Sequence, residues 1–148
     1  YLDYMKNQLE PGEFVQALAV PVAGPARTVR AYKISKRFDC DISALCLALA
    51  LQFDGPRIAS ARLACGGMAA TVRRAVRAEA ALRGQPWSEA TVRTAMAELA
   101  QDYAPLTDLR ATRDYRLKVA ANLLWRLWLE TRPDAPLPPQ ATSVWSAA

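Results

Sequence analysis

The strongest constraint in this 148-residue chain is a pair of apolar runs of matching length joined by turn residues. In the first run Leu45, Leu47, Leu49 and Leu51 alternate with Cys46, Ala48 and Ala50. A period of two, with large side chains on one face and small ones on the other, suits a strand covered on its leucine side. Leucine and alanine are also good helix formers. Asp54, Gly55 and Pro56 break the tie, because they carry hairpin chemistry and lead straight into the second run, Ile58 to Cys65. An antiparallel hairpin is expected.

Around that hairpin the chain reads as strands first and helices second. Leu9 to Glu13 forms a turn through Pro11 and Gly12, and Phe14 to Val20 reads as a short apolar strand closed by Pro21. Gly24 and Pro25 mark another turn, after which Thr28 to Ser35 fits either a strand or one short helix. Gly66 and Gly67 end the hairpin. A helix is expected to follow, with Val72, Ala75 and Val76 on its inner face, Arg73, Arg74 and Arg77 outside, and a stop near Gly84. Ser88 is a candidate N-cap for a second helix, in which Val92, Ala95, Met96 and Leu99 fall at i, i+3, i+4 and i+7. A third helix is expected from about Asp114 to Thr131, with Tyr115, Val119, Leu123, Leu124, Leu127 and Trp128 as its apolar face. Pro133, Pro136, Pro138 and Pro139 make the remainder tail-like. This order predicts an α+β fold, an antiparallel sheet of three to four strands with three helices packed on one face. The expected division is 1–25 as the end of a preceding domain and linker, 26–132 as the folded domain, and 133–148 as a Pro-rich tail.

Composition removes several function classes. With no histidine, a Ser-His-Asp triad, a Cys-His dyad and a Cys/His zinc site are excluded. Cys40, Cys46 and Cys65 share no CxxC spacing and cannot all pair, so no metal site is expected, and the pattern fits a reducing, cytoplasmic setting. The longest apolar stretch stops far short of the roughly 20 residues of a membrane span. The net charge of +5 is spread along the chain. Arg73, Arg74, Arg77 and Arg83 could form a basic helix face, but acidic residues follow closely and no aromatics interleave as a stacking platform would require. A solvated face is expected, with no nucleic-acid partner.

Lys33 to Asp39 is the densest polar cluster, with three cations and a hydroxyl between two apolar runs. Such a loop can receive a phosphate or an electron-rich ring, lysine as a point charge and arginine as a planar fork. The competing reading is a solvated turn, since most charged loops bind nothing. Gly66 and Gly67 have the look of an anion-binding helix start, yet a glycine pair at a corner more often permits a tight bend and close packing. Trp125 and Trp128, three residues apart, share a helix face and read as core or as a docking surface.

The stretch Tyr32 to Ser43 (YKISKRFDCDIS), with Ala64 to Ala69 (ACGGMA) and Leu99 to Ala111 (LAQDYAPLTDLRA) after it, resembles bacterial xanthine dehydrogenase small subunits. More broadly the chain resembles the C-terminal part of the FAD-binding region in molybdenum hydroxylases. The resemblance implies an enzyme that oxidises a purine at a molybdopterin centre and passes electrons through two [2Fe–2S] clusters to FAD, where NAD is reduced. It implies that Lys33 and Val15 contact the flavin, and that Ser35, Lys36, Arg37, Phe38, Asp39, Cys40 and Asp41 form a loop beside it. Cys40 stands where mammalian members carry an acid. The implied partners are the iron–sulfur and FAD domains of the small subunit, the molybdopterin-binding large subunit and NAD. The family's cluster ligands and Gly-rich flavin loop have no counterpart here, so the chain is expected to be a piece of a longer protein, without a catalytic residue, turnover or firm FAD binding of its own. The alternative is a free-standing interaction module, without redox activity, that docks a partner through the Trp125/Trp128 helix or the basic helix.

Overall fold

The computed structural model describes residues 2–22, 24–37 and 39–142. Four strands, β1 (Arg27–Ile34), β2 (Leu45–Asp54), β3 (Arg57–Gly66) and β4 (Arg73–Arg74), form one antiparallel sheet in the order β1-β2-β3-β4. Three helices follow, α1 (Val76–Leu82), α2 (Glu89–Asp102) and α3 (Arg113–Thr131), and a 3-10 turn spans Pro139–Thr142. This is the α+β architecture expected, and Thr28 to Ile34 resolves as strand.

The hairpin is built as its alternation implies. Gly55, at φ +55°, occupies the first central position of a two-residue connection, where the primed hairpin turns need a positive φ. Leu45, Leu47, Leu49 and Leu51 all face the helices and are buried. They meet Ile58, Ala61, Leu63 and Cys65 from β3, together with Val92, Ala95 and Leu99 from α2 and Leu123, Leu124 and Leu127 from α3. At the hairpin end Trp87 stacks edge-on against Trp128, with centroids 5.4 Å apart, and against Phe53 at 6.0 Å. Its indole N–H donates to Thr131 Oγ1 at 3.1 Å. Trp128 is therefore core, while half-buried Trp125 lies beneath the Arg93 guanidinium, 4.5 Å away, so this pair is no open docking surface.

Several expectations need correction. Phe14 to Val20 forms no strand; Phe14, Val15, Leu18 and Val20 are exposed, because among the described residues no neighbouring strand supplies the hydrogen bonds that an isolated extended segment lacks. The helix expected around Val72 to Gly84 begins only at Val76, and Arg73 and Arg74 belong to β4. Two distant side chains hold that strand. Tyr103 Oη donates to Arg73 C=O at 2.7 Å and receives Cys65 N–H at 3.2 Å. Glu79, buried on α1, receives Leu63 N–H at 2.9 Å and the Arg74 guanidinium. Val72 and Val76 thus point outward, and Ala75, Ala78 and Leu82 line the core. Arg73, Arg74 and Arg77 form no common helix face. On α3 the buried stripe runs through Arg116, Ala120, Leu123, Leu124, Leu127 and Trp128, whereas Tyr115 is exposed. The tail folds back on this helix: Leu137 N–H donates to Leu129 C=O, and Arg126 donates to Thr142 Oγ1 at 2.9 Å.

Candidate functional site

One end of the sheet carries the polar loop singled out from sequence, residues 35–43. Its base is closed where Ala44 N–H donates to Ile34 C=O at 2.8 Å. Asp41 organises the interior, its Oδ2 accepting the backbone N–H groups of Lys36 and Arg37, each at 3.0 Å. Those donors, Arg37 first, hold the Asp41 carboxyl below the usual carboxylate range. Arg37 turns back on the loop, donating to Cys40 C=O at 3.2 Å and lying 3.6 Å from Asp41 Oδ1. Ser35 Oγ donates to Arg37 C=O at 2.9 Å. Cys40 is exposed and sits at φ +48°, a left-handed conformation at the tightest point of the loop. Phe38 lies outside the described residues.

A second wall stands opposite, and nothing in the sequence reading assigned it to a site. In the α2–α3 connection Asp108 Oδ1 accepts Arg110 N–H at 2.9 Å and Ala111 N–H at 3.1 Å, which folds a compact turn and depresses the Asp108 carboxyl's pKa. Lys36 Nζ crosses to this turn and donates to Leu109 C=O at 3.0 Å. Between the walls lie two adjoining hollows of about 330 and 380 Å³, both lined by Lys36, Ala44 and Arg110. Beneath them Arg116, 4% exposed, donates to Ala44 C=O at 2.6 Å, to Gly67 C=O and to Asp108 Oδ1 at 2.7 Å. Its one available signal was helical spacing: Arg116, Ala120, Leu123, Leu124 and Leu127 share a stripe, which marks an arginine within an apolar face. Gly67 serves packing here. It has φ +77°, and a Cβ would stand 2.7 Å from Ala44 O.

Lys33 lies on the side of the sheet that the helices leave bare. It pairs with Cys46, and its surroundings on that side are Ala31, Ala48, Ala64 and Gly66. Among these small side chains the lysine stands out, with Val29, Arg62 and Arg74 further along the same face. Val15 is exposed on the segment before β1, and no hydrogen bond joins it to the sheet among the described residues. The structure thus brings Lys36, Arg37, Cys40 and Asp41 together around one groove, sets Lys33 on the neighbouring open face, and leaves Val15 apart. The three cysteines are free. Burial pushes the Cys65 thiol up to about 11, so it behaves as a small core residue. Among the described residues no group of three His, Cys, Asp or Glu side chains could hold a metal ion.

Residues 30–131, which include β1 from its middle, the polar loop and all three helices, match the CO dehydrogenase flavoprotein C-terminal domain family. The chain belongs to that family. Solved relatives of this flavoprotein domain agree in fold. Reconstituted CO dehydrogenase from Oligotropha carboxidovorans superimposes with a TM-score of 0.76 at 26% identity, covering 85% of this chain and 44% of the other. CO dehydrogenase from Hydrogenophaga pseudoflava gives 0.67 at 26% identity over 72% and 37%. Quinoline 2-oxidoreductase from Pseudomonas putida 86 gives 0.63 at 27% identity over 76% and 39%. The flavoprotein domain described here therefore spans less than half the length of these solved chains. No protein of curated function matches the sequence. The domain is accordingly the C-terminal FAD-region domain of the molybdenum hydroxylase family. None of its helices is long and apolar enough to cross a membrane, among the described residues.

Proposed function

We propose that this chain closes one side of the flavin site in the small subunit of a xanthine dehydrogenase-like molybdenum hydroxylase, with NAD as the electron acceptor. The observation that carries the reading is the family match across Lys33 and the polar loop, combined with the placement of Lys33 among small side chains on the sheet face that the helices leave uncovered. A planar ring can approach a surface made of Ala31, Cys46, Ala48 and Gly66, and a lysine beside it meets the ring's electron-rich edge. The residues present fit one side of an isoalloxazine in this way. They include no glycine-rich loop for the diphosphate, so the rest of FAD is held by parts of the subunit outside this chain. When bound, FAD would accept electrons from the substrate side through [2Fe–2S] clusters and deliver hydride to NAD.

Within that arrangement each residue of this chain has a defined task. Lys33 supplies a positive charge that favours the electron-rich form of the ring over the oxidised one. The 35–41 loop, held rigid by Asp41, borders the acceptor's approach. Val15, on the segment before β1, supplies an apolar contact to the ring once that segment joins the preceding domain. The partners are the iron–sulfur and FAD domains of the same subunit and the molybdopterin-binding large subunit, in the cytoplasm.

The test uses the intact parent enzyme and compares wild type with Lys33→Ala. Flavin occupancy, reduction of FAD by NADH, and NAD-dependent turnover with xanthine are measured alongside reduction of the molybdenum centre by substrate. Loss at the flavin with the molybdenum side intact is the expected outcome. Unchanged flavin content and kinetics would make Lys33 an ordinary surface lysine and remove the reading's support.

A further inference from the structure

We infer that Arg116 is the positioning residue for the flavin-side loop, acting as a buried strut that holds the loop to the α2–α3 connection. The inference rests on the flavin-site reading above and adds to it the element that keeps residues 35–43 in place. Four separate parts of the chain meet at this guanidinium. It donates to Ala44 at the end of the loop, to Gly67 at the corner after β3, and to Asp108 in the α2–α3 connection, while its own backbone belongs to α3.

Toward the helices the loop has two points of support, and both trace to Arg116. At the C-terminal end the support is direct, through Ala44 C=O at 2.6 Å. At the front it is indirect: Asp108, gripped by Arg116 at 2.7 Å, shapes the turn that presents Leu109 C=O to Lys36 Nζ at 3.0 Å. Only a planar fork serves this junction, because its two terminal nitrogens reach carbonyls and a carboxylate in different directions. A lysine keeps the charge and loses the fork. Gly67 fits the same purpose, since a Cβ there would come within 3.1 Å of the Arg116 Nη1 that grips the junction. The buried carbonyl of Ala44 and the part-buried one of Gly67, left without their donor, would pull toward water, and the loop ends would open with them.

The experiment uses the complete flavoprotein subunit in its assembled enzyme and compares wild type, Arg116→Lys and Asp108→Asn with Glu79→Gln. The last removes a buried charge that holds β4 and does not touch the loop. Tryptic cleavage after Lys36 and Arg37 is read by mass spectrometry, with cleavage after Arg93 in α2 as the internal reference. Reoxidation of the flavin by NAD is measured separately from its reduction by substrate. Arg116→Lys is expected to raise loop cleavage about tenfold, the equivalent of losing one charge-assisted hydrogen bond, and to slow reoxidation while leaving reduction unchanged. Asp108→Asn, which leaves the arginine in place, is expected to do the same about threefold and keeps the test alive if Arg116→Lys does not assemble. Loop cleavage within twofold of wild type in the assembled variants overturns the strut, as does an equal change in Glu79→Gln. Raised loop cleavage with unaltered flavin kinetics in both these variants and Lys33→Ala overturns instead the placement of the loop at the flavin, and with it this role for Arg116.

Discussion

The two faces of the sheet are lined by the same strands and built to different rules. Toward the helices β2 presents four leucines, each no more than 2% exposed, and every one meets a partner on β3, α2 or α3. Toward the other side the same strand presents Cys46, Ala48 and Ala50, facing Ala31 and Lys33 on β1 and Arg62 and Ala64 on β3. The first face spends its residue choices on burial and holds the domain together. The second keeps its side chains short around Lys33, at Ala31, Cys46, Ala48, Ala64 and Gly66, and carries Val29 and Arg62 further along. A face with nothing to bury against is free to be shaped for something that lies flat upon it, and the leucines opposite make that freedom affordable. Changes on the two faces should therefore separate stability from flavin chemistry.

The largest separation is expected from Leu47→Ala. Leu47 sits in the central strand at full burial, so its truncation leaves a cavity and should cost about 3 kcal/mol in urea denaturation of this chain. A loss under about 1 kcal/mol would mean that the helices pack loosely on the sheet and that the contrast between the faces is overdrawn.

Smaller losses are expected where helices begin. Ser88 Oγ receives Thr91 N–H at 3.3 Å, and Thr112 Oγ1 receives Tyr115 N–H at 3.2 Å. Replacing either by alanine should cost about 1 kcal/mol. The two caps differ in what they adjoin: Ser88 starts a helix remote from the groove, whereas Thr112 is part of the groove's wall. Hydrogen exchange should show the loss at Thr112 spreading into residues 105–112 and the loss at Ser88 confined to α2.

Much of the leucine face was legible because its signals are local. Alternation over Leu45 to Leu51 and a turn at Gly55 fix the hairpin with no knowledge of the rest, and Ser88 announces α2 within four residues. The misreadings share a cause. Arg73 and Arg74 look helical in isolation, yet Tyr103 and Glu79 from elsewhere in the chain recruit them to the sheet. Even the start of α1 is set remotely, since Asp102 at the end of α2 accepts the N–H groups of Arg77 and Ala78, each at 3.0 Å. Phe14 to Val20 has the composition of a strand, but composition supplies no partner. At the groove the near wall, Lys36 to Asp41, could be read as a polar loop. The far wall could not, because Arg116 acts on residues 49 and 72 positions away in sequence.

Acid should act on the groove through its two carboxylates. Asp41 and Asp108 both have folded pKa values below the ordinary one, set chiefly by backbone N–H groups of Arg37 and of Arg110. A depressed carboxyl contributes stability that is present above its unfolded pKa of about 3.9 and is lost as pH falls through the folded value. Below about pH 4 the loop and the Asp108 turn should therefore loosen, and the double change Asp41→Asn and Asp108→Asn should flatten that dependence. A pH profile identical to wild type would show that these hydrogen bonds do not distinguish the charged carboxylates from neutral amides.

The smallest expected effect on stability is the most informative about the open face. Ala48 is exposed in the middle of β2, directly between Ala31 and Ala64. Ala48→Lys buries nothing and breaks no hydrogen bond, so the stability of this chain should change by no more than about 0.5 kcal/mol. In the complete subunit the same lysine would stand on the surface that a flat ring is proposed to approach, two residues along β2 from the partner of Lys33. Flavin content of the purified subunit should then fall while the chain's own melting is untouched. If flavin content holds, the short side chains of this face serve ordinary sheet packing, and the proposed site contracts to Lys33 and the loop. If both fall together, the lysine disturbs the sheet itself, and the short side chains of this face serve the packing of this chain as much as the leucines opposite do.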